Sequence, residues 1–356
     1  MAFVVALAGG GSAGHVVPAL ALADAILKAE PDTRLRFVGT EGGQEERLVP
    51  AAGHALDVVP SLPMLGRSPL GLVRGVIALL RGVASSRQLF RADRPDLVIG
   101  VGGYASVPAV LAAATLRLPI ALLEPNALPG RANRLLGRLA RRVCVQFDDA
   151  IPFFPAGRAL RLGFPVREIP RSNGGDAGQP LRILVMGGSQ GSRAINRALL
   201  GDLPRLRAFR ITHQTGAHDV DEVRAAYAAA GIDAEIAAFF DDMPTRLAKA
   251  DVLIARAGAS TIAETCMAGI ASVLVPLPLA DDHQMANARE LERAGACRVV
   301  PNAEAADNLV SAVLELLADD SRRERMARAA AERAQPDAAA LIWTACRELI
   351  VVGGHS

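Results

Sequence analysis

The 356-residue chain is 51% apolar but only 4% aromatic, so Ala, Val and Leu must build a core suited to strands covered by helices on both faces. Its length points to two domains. Its four cysteines (Cys144, Cys266, Cys297, Cys346) lie far apart with no CxxC and no nearby His at ligand spacing. That excludes a disulfide scaffold or a zinc module and reads as reduced, mostly buried thiols of a cytosolic protein. The net charge of +2 is unevenly spread: residues 1–165 hold 18 Lys and Arg against 12 Asp and Glu, and the remainder 21 against 25.

The chain opens on a strand-like run near 3–8. No basic segment precedes it and glycines follow at once, so it reads as a first strand and not a signal peptide. Gly9, Gly11 and Gly14 then spell G-x-G-x-x-G before a helical run over 16–28. A strand, a turn needing positive φ and an amphipathic helix bring backbone N–H groups to an anion. A dinucleotide site would also want an acid ending the next strand, 34–39. That strand ends Phe37-Val38-Gly39-Thr40, and Glu41 comes late. His15 lies in the first helical turn, where the helix dipole disfavours imidazolium. A neutral imidazole there is a candidate general base; a capping or core histidine is the other reading.

Further strands are expected near 55–60, 97–101, 119–123 and 143–146, with helices over 70–91, 107–116 and 131–140. Residues 97–116 carry no charge and pass as a membrane span by hydropathy. Gly102-Gly103, Ser106 and Pro108 divide that run into a short strand and a short helix. No membrane-crossing segment is expected. Between 61 and 142 there are 12 Arg and only three acids. Solvated helix faces explain such a bias; so does an anionic partner, a phospholipid surface or a phosphorylated substrate. Arg67, Arg74, Arg81, Arg87 and Arg91 alternate with Leu, Val and Ile, and the part near 62–75 reads as a membrane-surface loop. No nucleic-acid partner is expected.

Arg171–Pro180 is polar and rich in Gly and Pro, an interdomain linker or a loop just inside the second domain. The second half restarts with a strand at 183–186 and a second glycine turn, Gly187, Gly188 and Gly191. G-x-S-x-G here also fits the nucleophile elbow of a hydrolase, with Ser189 as nucleophile and His213, His218 or His283 as partner. A phosphate cradle accounts for both halves at once and is preferred. Strands follow near 209–213, 235–238, 251–254, 272–275 and 297–299, with helices over 220–230, 260–268 and 284–293. Beyond 303 the pattern is helical, and a last helix over 338–350 is expected to return to the first domain. Two glycine turns, one per half, predict an α/β protein of two Rossmann-like, doubly wound parallel-sheet domains facing a central cleft.

In the segment 255–269, Gly258 is expected to form a tight turn, and Ser260 and Thr261 to cap the following helix. Glu264 then suits ribose hydroxyls better than phosphate. Asp281, Asp282, His283, Gln284 and Asn287 follow the next strand, a placement suited to sugar hydroxyls. Asp219-Val220-Asp221 is the one D-x-D, and it reads as a helix cap and not a metal site. Without a metal, helix N-termini and Arg must stabilise a leaving diphosphate.

GGGSAGHVVPALALA, GVGGYASVPAVLAA, EPNALPGRANRLL, GGSQGSRAIN, FFDDM, RAGASTIAE and DDHQMANA occur in this order. Together they resemble the MurG family of peptidoglycan-synthesis transferases from about residue 3 to residue 340. The resemblance implies a GT-B fold. It implies inverting transfer of N-acetylglucosamine from UDP-N-acetylglucosamine to the 4-hydroxyl of the muramyl sugar of lipid I, the undecaprenyl-diphosphate-linked pentapeptide, giving lipid II on the cytoplasmic membrane face. No cofactor and no metal are implied. Ser12, Ala13 and Gly14 match the donor-contact tripeptide, with Ala13 where Gly is common. Asn126 matches a donor-binding Asn, Arg167 an Arg suited to diphosphate, and Ser189 the serine of the second turn. Phe240 stands where backbone groups meet uracil. Ala259, Ser260, Thr261, Ile262, Ala263 and Glu264 match the nucleotide segment, with Glu264 on the ribose, and Gln284 a glutamine on the sugar. His15 matches the family's proposed base, with Glu124 as the alternative. Pro125 and Phe164 depart from the usual residues. The resemblance places the acceptor domain at 1–163, with the crossover helix about 338–356, and the donor domain at 164–337. A related glycolipid transferase, a dinucleotide-dependent oxidoreductase and a non-catalytic sugar-nucleotide sensor are the competing readings.

Overall fold

The computed structural model describes residues 3–62, 69–172, 179–188, 190–278 and 282–353. The chain divides into two compact units, Met1–Arg167 with Asp337–Ser356, and Glu168–Pro336. The 171–180 stretch therefore lies in the second unit; its residues 173–178 lie outside the described residues.

The first unit is a seven-stranded parallel sheet. Its strands are β1 (Val4–Gly9), β2 (Arg34–Gly39), β3 (Leu56–Val58), β4 (Leu97–Gly102), β5 (Ile120–Glu124), β6 (Arg142–Val145) and β7 (Ala159–Arg161). The spatial order is β3-β2-β1-β4-β5-β6-β7. The connecting helices are α1 (Ala13–Ala29), α2 (Glu45–Ala51), α3 (Pro69–Ala92), α4 (Ser106–Thr115) and α5 (Arg131–Leu136). The period-2 alternation of a strand sorts β1 between two cores. Val5 and Leu7 pack with Val16, Leu22 and Ile26 of α1. Ala6 and Ala8 face Phe90 of α3 and Val110 of α4.

The second unit is a six-stranded parallel sheet: β8 (Arg182–Met186), β9 (Arg210–Gln214), β10 (Ala234–Ala237), β11 (Val252–Ala255), β12 (Ala271–Leu274) and β13 (Arg298–Val299). Its order is β10-β9-β8-β11-β12-β13. The helices are α6 (Arg193–Leu200), α7 (Val220–Ala229), α8 (Met243–Lys249), α9 (Ala259–Ala268), α10 (His283–Arg293), α11 (Ala305–Ala318) and α12 (Asp320–Glu332). Ile195 and Leu199 of α6 meet Leu309 and Val313 of α11 over Ile183, Ile254 and Val273. The last helix, α13 (Ala338–Gly353), lies on the first unit, where Ile342, Trp343, Cys346 and Leu349 join the core around α1.

Strand order reverses between β1 and β4 in the first sheet and between β8 and β11 in the second. Open parallel sheets take their ligands beyond the carboxyl ends of the strands at such switch points. Both glycine turns stand there. The structure departs from expectation in places. The helix expected over 131–140 ends at Leu136, with Gly137 at its C-cap. Helices α2 and α8 and strand β7 went unforeseen; at seven, seven and three residues they are too short to show a hydrophobic period. Residues 97–116 form β4 and α4, and among the described residues no helix is long and apolar enough to cross a membrane. All four cysteines are buried free thiols.

Candidate active site

In the first unit, β1 and β4 end in glycines, and the His15 ring rests on the second pair. A Cβ on Gly102 would stand 2.9 Å from His15 Nδ1, and one on Gly103 3.2 Å from Cδ2. Both glycines have positive φ, +101° and +75°, a conformation L side chains rarely adopt. Burial pushes the imidazole below its ordinary range, while the Val101 carbonyl and the Glu45 charge act the other way. His15 Nδ1 is shut off from solvent. Ser12 is the N-cap of α1, exposed and making no side-chain cap bond; Ala13 opens the helix and Gly14 is exposed.

Glu124 closes β5, 1% exposed. Its Oε1 accepts from Asn126 N (2.9 Å) and Asn126 Nδ2 (3.2 Å); its Oε2 accepts from Gly130 N (3.2 Å) and Asn133 Nδ2 (2.9 Å). Burial raises the Glu124 pKa, and these four donors oppose that rise. Both oxygens are engaged within the 124–133 loop, and two of the four bonds fix Asn126. Asn133 also donates to the Leu123 carbonyl (3.0 Å), tying α5 to the strand end. Arg167, where the chain leaves this unit, is exposed.

In the second unit the turn after β8 is built on Gly188 and Gly191, at φ +87° and +76°. Gly191 packs so closely on the Thr215 carbonyl that a Cβ would collide with it. Ser192 caps α6, its Oγ accepting from Ile195 N (3.3 Å). Ser189 lies outside the described residues. The elbow reading loses one of its three candidate histidines here. His213 Nε2 meets Asn196 Oδ1 (3.0 Å) and Nδ1 meets Tyr227 OH (3.3 Å), and burial holds the ring neutral down to about 3. Asn196 Nδ2 donates to Thr215 O (3.1 Å) and Asp219 Oδ2 (2.8 Å), so its Oδ1 is an acceptor and His213 carries its proton on Nε2. The Asp219-Val220-Asp221 expectation is corrected in one respect: Asp219 is the N-cap of α7 but makes no cap bond, because Asn196 takes its carboxylate. Among the described residues no metal-ligand cluster forms.

Gln214 ends β9 and joins two parts of this site. Its Nε2 donates to Gly188 O (3.1 Å) and its Oε1 accepts from Phe240 N (3.2 Å). Of the Phe240 backbone groups, the N–H is thus occupied. The Phe240 ring is buried beneath the Arg246 guanidinium, 3.8 Å from the ring centroid. After β11, Gly258 has extended backbone (φ −65°) and not the expected tight turn, and it is the N-cap of α9. Ser260 and Thr261 therefore do not cap. They fall with Ala259 in the first turn of α9, followed by buried Ile262 and half-buried Ala263 and Glu264. Gln284 of α10 accepts with one oxygen from Ala257 N (3.2 Å) and Leu277 N (2.9 Å), locking together the ends of β11 and β12. Asn287 Nδ2 donates to Ala257 O (3.3 Å). Arg256 is buried, bonded to Val275 O (2.9 Å) and Asn302 Oδ1 (2.8 Å); burial lowers its pKa to about 10, which leaves it charged at neutral pH.

Of the expected residues, Ser12 to His15 follow β1 and Ala259 to Glu264 follow β11, each at the switch point of its own unit, whereas Glu124 and Asn126 follow β5, Phe240 follows β10, Gln284 follows β12 and Arg167 lies beyond β7. Sequence reasoning missed Glu45, Asn133, Asn196 and Gln214, which hold the turns through partners 9 to 34 residues away. The signal available for Glu45 was an acid within a run of glycines, Thr40-Glu41-Gly42-Gly43-Gln44-Glu45.

Residues 5–145 match the glycosyltransferase family 28 N-terminal domain, and residues 182–342 its C-terminal domain. The chain is 39% identical over 353 residues to the UDP-N-acetylglucosamine--N-acetylmuramyl-(pentapeptide) pyrophosphoryl-undecaprenol N-acetylglucosamine transferase of Anaeromyxobacter sp. (strain Fw109-5), covering 97% of this chain and 93% of the relative. It is 40% identical to the protein of that name from Geotalea uraniireducens (strain Rf4), covering 94% and 95%. The crystal structure of Acinetobacter baumannii MurG superposes with a TM-score of 0.81 at 31% identity, covering 97% of this chain and 99% of that one. With two parallel-sheet units of this order the fold is GT-B, and the chain belongs to the MurG-type N-acetylglucosamine transferases of glycosyltransferase family 28.

Proposed function

We propose that this chain is the inverting hexosyltransferase that moves N-acetylglucosamine from UDP-N-acetylglucosamine to the muramyl 4-hydroxyl of lipid I. The observation that carries the reading is the His15 ring, kept neutral by burial on a glycine floor at the first sheet's switch point. His15 accepts the proton of the acceptor hydroxyl as that oxygen attacks the anomeric carbon. The bond from that carbon to the diphosphate oxygen breaks, and the electron pair leaves with UDP. Attack opposite the leaving group inverts the centre. The second unit holds the donor: the amides of the 187–191 turn and the N-terminus of α6 face the diphosphate, aided by Arg167. Residues 259–264 hold the nucleoside, with Glu264 on the ribose, the Phe240 carbonyl toward the uracil and the Gln284 amide toward the sugar. In the first unit Glu124 aims Asn126, and the Ser12-Ala13-Gly14 tripeptide borders His15.

We place the chain at the cytoplasmic membrane face, bound peripherally to anionic lipid. Val73, Val76, Ile77 and Leu80 are exposed on α3, interspersed with Arg74 and Arg81. Leu135 and Leu139, at and just beyond α5, and Phe153 are exposed as well, with Arg134 stacked over the Phe153 ring at 4.6 Å. Apolar side chains ringed by Arg suit a headgroup region. Of the loop expected near 62–75, residues 63–68 lie outside the described residues; from Pro69 on the chain is helical.

The test is to incubate purified protein with UDP-N-acetylglucosamine and a short-chain lipid I analogue. Acceptor-dependent UDP release and a β-1,4-linked product support the reading; UDP release at background ends it. A panel of other glycolipid acceptors, each turned over no faster than background, separates it from the related transferases.

A further inference from the structure

We propose that Glu45 is a positioning residue for His15, its carboxylate locking the first glycine turn and strengthening the imidazole as a proton acceptor; this rests on the reading of His15 as the base. Glu45 is 1% exposed. Its Oε2 accepts from Gly11 N (2.7 Å), and its Oε1 from Thr40 N (3.0 Å) and Thr40 Oγ1 (3.2 Å). Three glycines make room for it. A Cβ on Gly39 would lie 2.5 Å from its Cγ, and a Cβ on Gly10 or Gly43 would run into the carboxyl group. A carboxylate so enclosed is costly unless its hydrogen bonds are met, and three donors meet it here.

In many Rossmann turns the amide after the first strand serves a ligand phosphate. In this chain that amide is committed to a side chain carried on α2. The Gly11 amide is therefore not free for a ligand phosphate. What the turn does instead follows from its contacts. The Gly10 carbonyl presses on Gly103, where a Cβ would come within 2.6 Å, and the His15 ring lies on that same Gly103. Glu45, the 10–11 turn, the 102–103 turn and the imidazole form one stack, so releasing Gly11 loosens the floor under the ring.

The electrostatics agree. Of the elements packed around the ring, α2 supplies the Glu45 charge, while Glu46 turns to the Gly42 amide (3.2 Å). Beyond β4 come backbone groups and Tyr104, whose ring faces Gly11. Helix α1 carries no charged residue between Ala13 and Ala23, and Arg347 of α13 pairs with Glu30 at the far end of α1. Glu45 is thus the charge that favours a protonated His15, opposing the effect of burial.

The experiment compares full-length wild type, Glu45→Gln, Glu45→Asp and His15→Gln with the lipid I analogue. It reads kcat, donor KM, the pH profile of kcat/KM, UDP affinity by calorimetry and fold by circular dichroism. Glu45→Gln is expected to keep UDP affinity, to lose roughly tenfold or more in kcat, and to move the acid limb of the profile to lower pH, because His15 loses a favourable charge. Glu45→Asp keeps the charge and shortens the reach, so kcat falls while the limb stays. If Glu45→Gln does not fold, Glu45→Asp carries the test. Wild-type kcat in either variant, or a Glu45→Gln that loses turnover with its limb unmoved, overturns the proposal. A His15→Gln enzyme that keeps both rate and limb overturns the base reading instead, whatever the Glu45 variants do.

Discussion

Replacing Glu124 with Gln separates an organiser from a base. Each Glu124 oxygen accepts two donors, all from the 126–133 segment. Glutamine has the same shape but offers one oxygen and one NH2. Whichever way the amide turns, two donors face two hydrogens. Leaving a buried donor unsatisfied costs about 1–3 kcal/mol, so the pair costs roughly 3 kcal/mol after partial relaxation. For a unit of this size each kcal/mol moves the melting temperature by about 2–4 °C, giving a fall of roughly 6–12 °C. Because the loop carries Asn126, donor KM rises as well, and the thermal loss accompanies the kinetic one. The assay is thermal unfolding followed at the first unit, paired with initial rates across donor concentration. An unchanged melting temperature with kcat reduced by about 10³ or more would refute this reasoning, since that is how loss of a free catalytic carboxylate looks.

Gly191→Ala is expected to raise the donor KM at least tenfold and to lower stability by about 1–3 kcal/mol, because a Cβ there meets the Thr215 carbonyl and φ is +76°; donor titration and urea unfolding check both. His213 stays neutral in the fold down to about 3 while the unfolded chain protonates near 6.5, so the stability it contributes is complete above 6.5 and is lost as pH falls toward 3. The slope in that window is ~1.4 kcal/mol per pH unit for one proton, and urea unfolding of His213→Asn across it is expected to show that slope removed. Leu80→Glu, at a side-chain position 64% exposed on α3, is expected to weaken sedimentation with anionic vesicles while leaving UDP affinity untouched.

Much of this fold was legible because parallel strands buried on both faces write continuous apolar runs. β4, β5, β8 and β11 each carry such a run, and the glycine turns after β1 and β8 mark the switch points. What stayed hidden was short or distant. α2 is seven residues long with Glu45 buried at its start, a placement that follows from Gly11, 34 positions earlier. Gln214 joins the glycine turn to Phe240 across 26 residues in each direction. The capping expectation at Ser260 and Thr261 failed because local preference gave way to tertiary packing: Gly258 lies extended at the strand end and the helix starts one residue later. The places of His15, Glu124 and the 259–264 segment, each just after or at the end of a strand, were legible because a strand followed by a turn and a helix is itself a sequence feature. The four donors that Glu124 meets, by contrast, could not be read from the sequence.

The chain leaves its first unit after Arg167 and comes back to it at Asp337. The second unit is thus inserted between the first sheet and α13, and without α13 one flank of α1 is bare. The chain's single tryptophan, Trp343, sits on that helix and is 3% exposed against the first core. Its fluorescence is consequently a private reporter of the sealing of the first unit by α13.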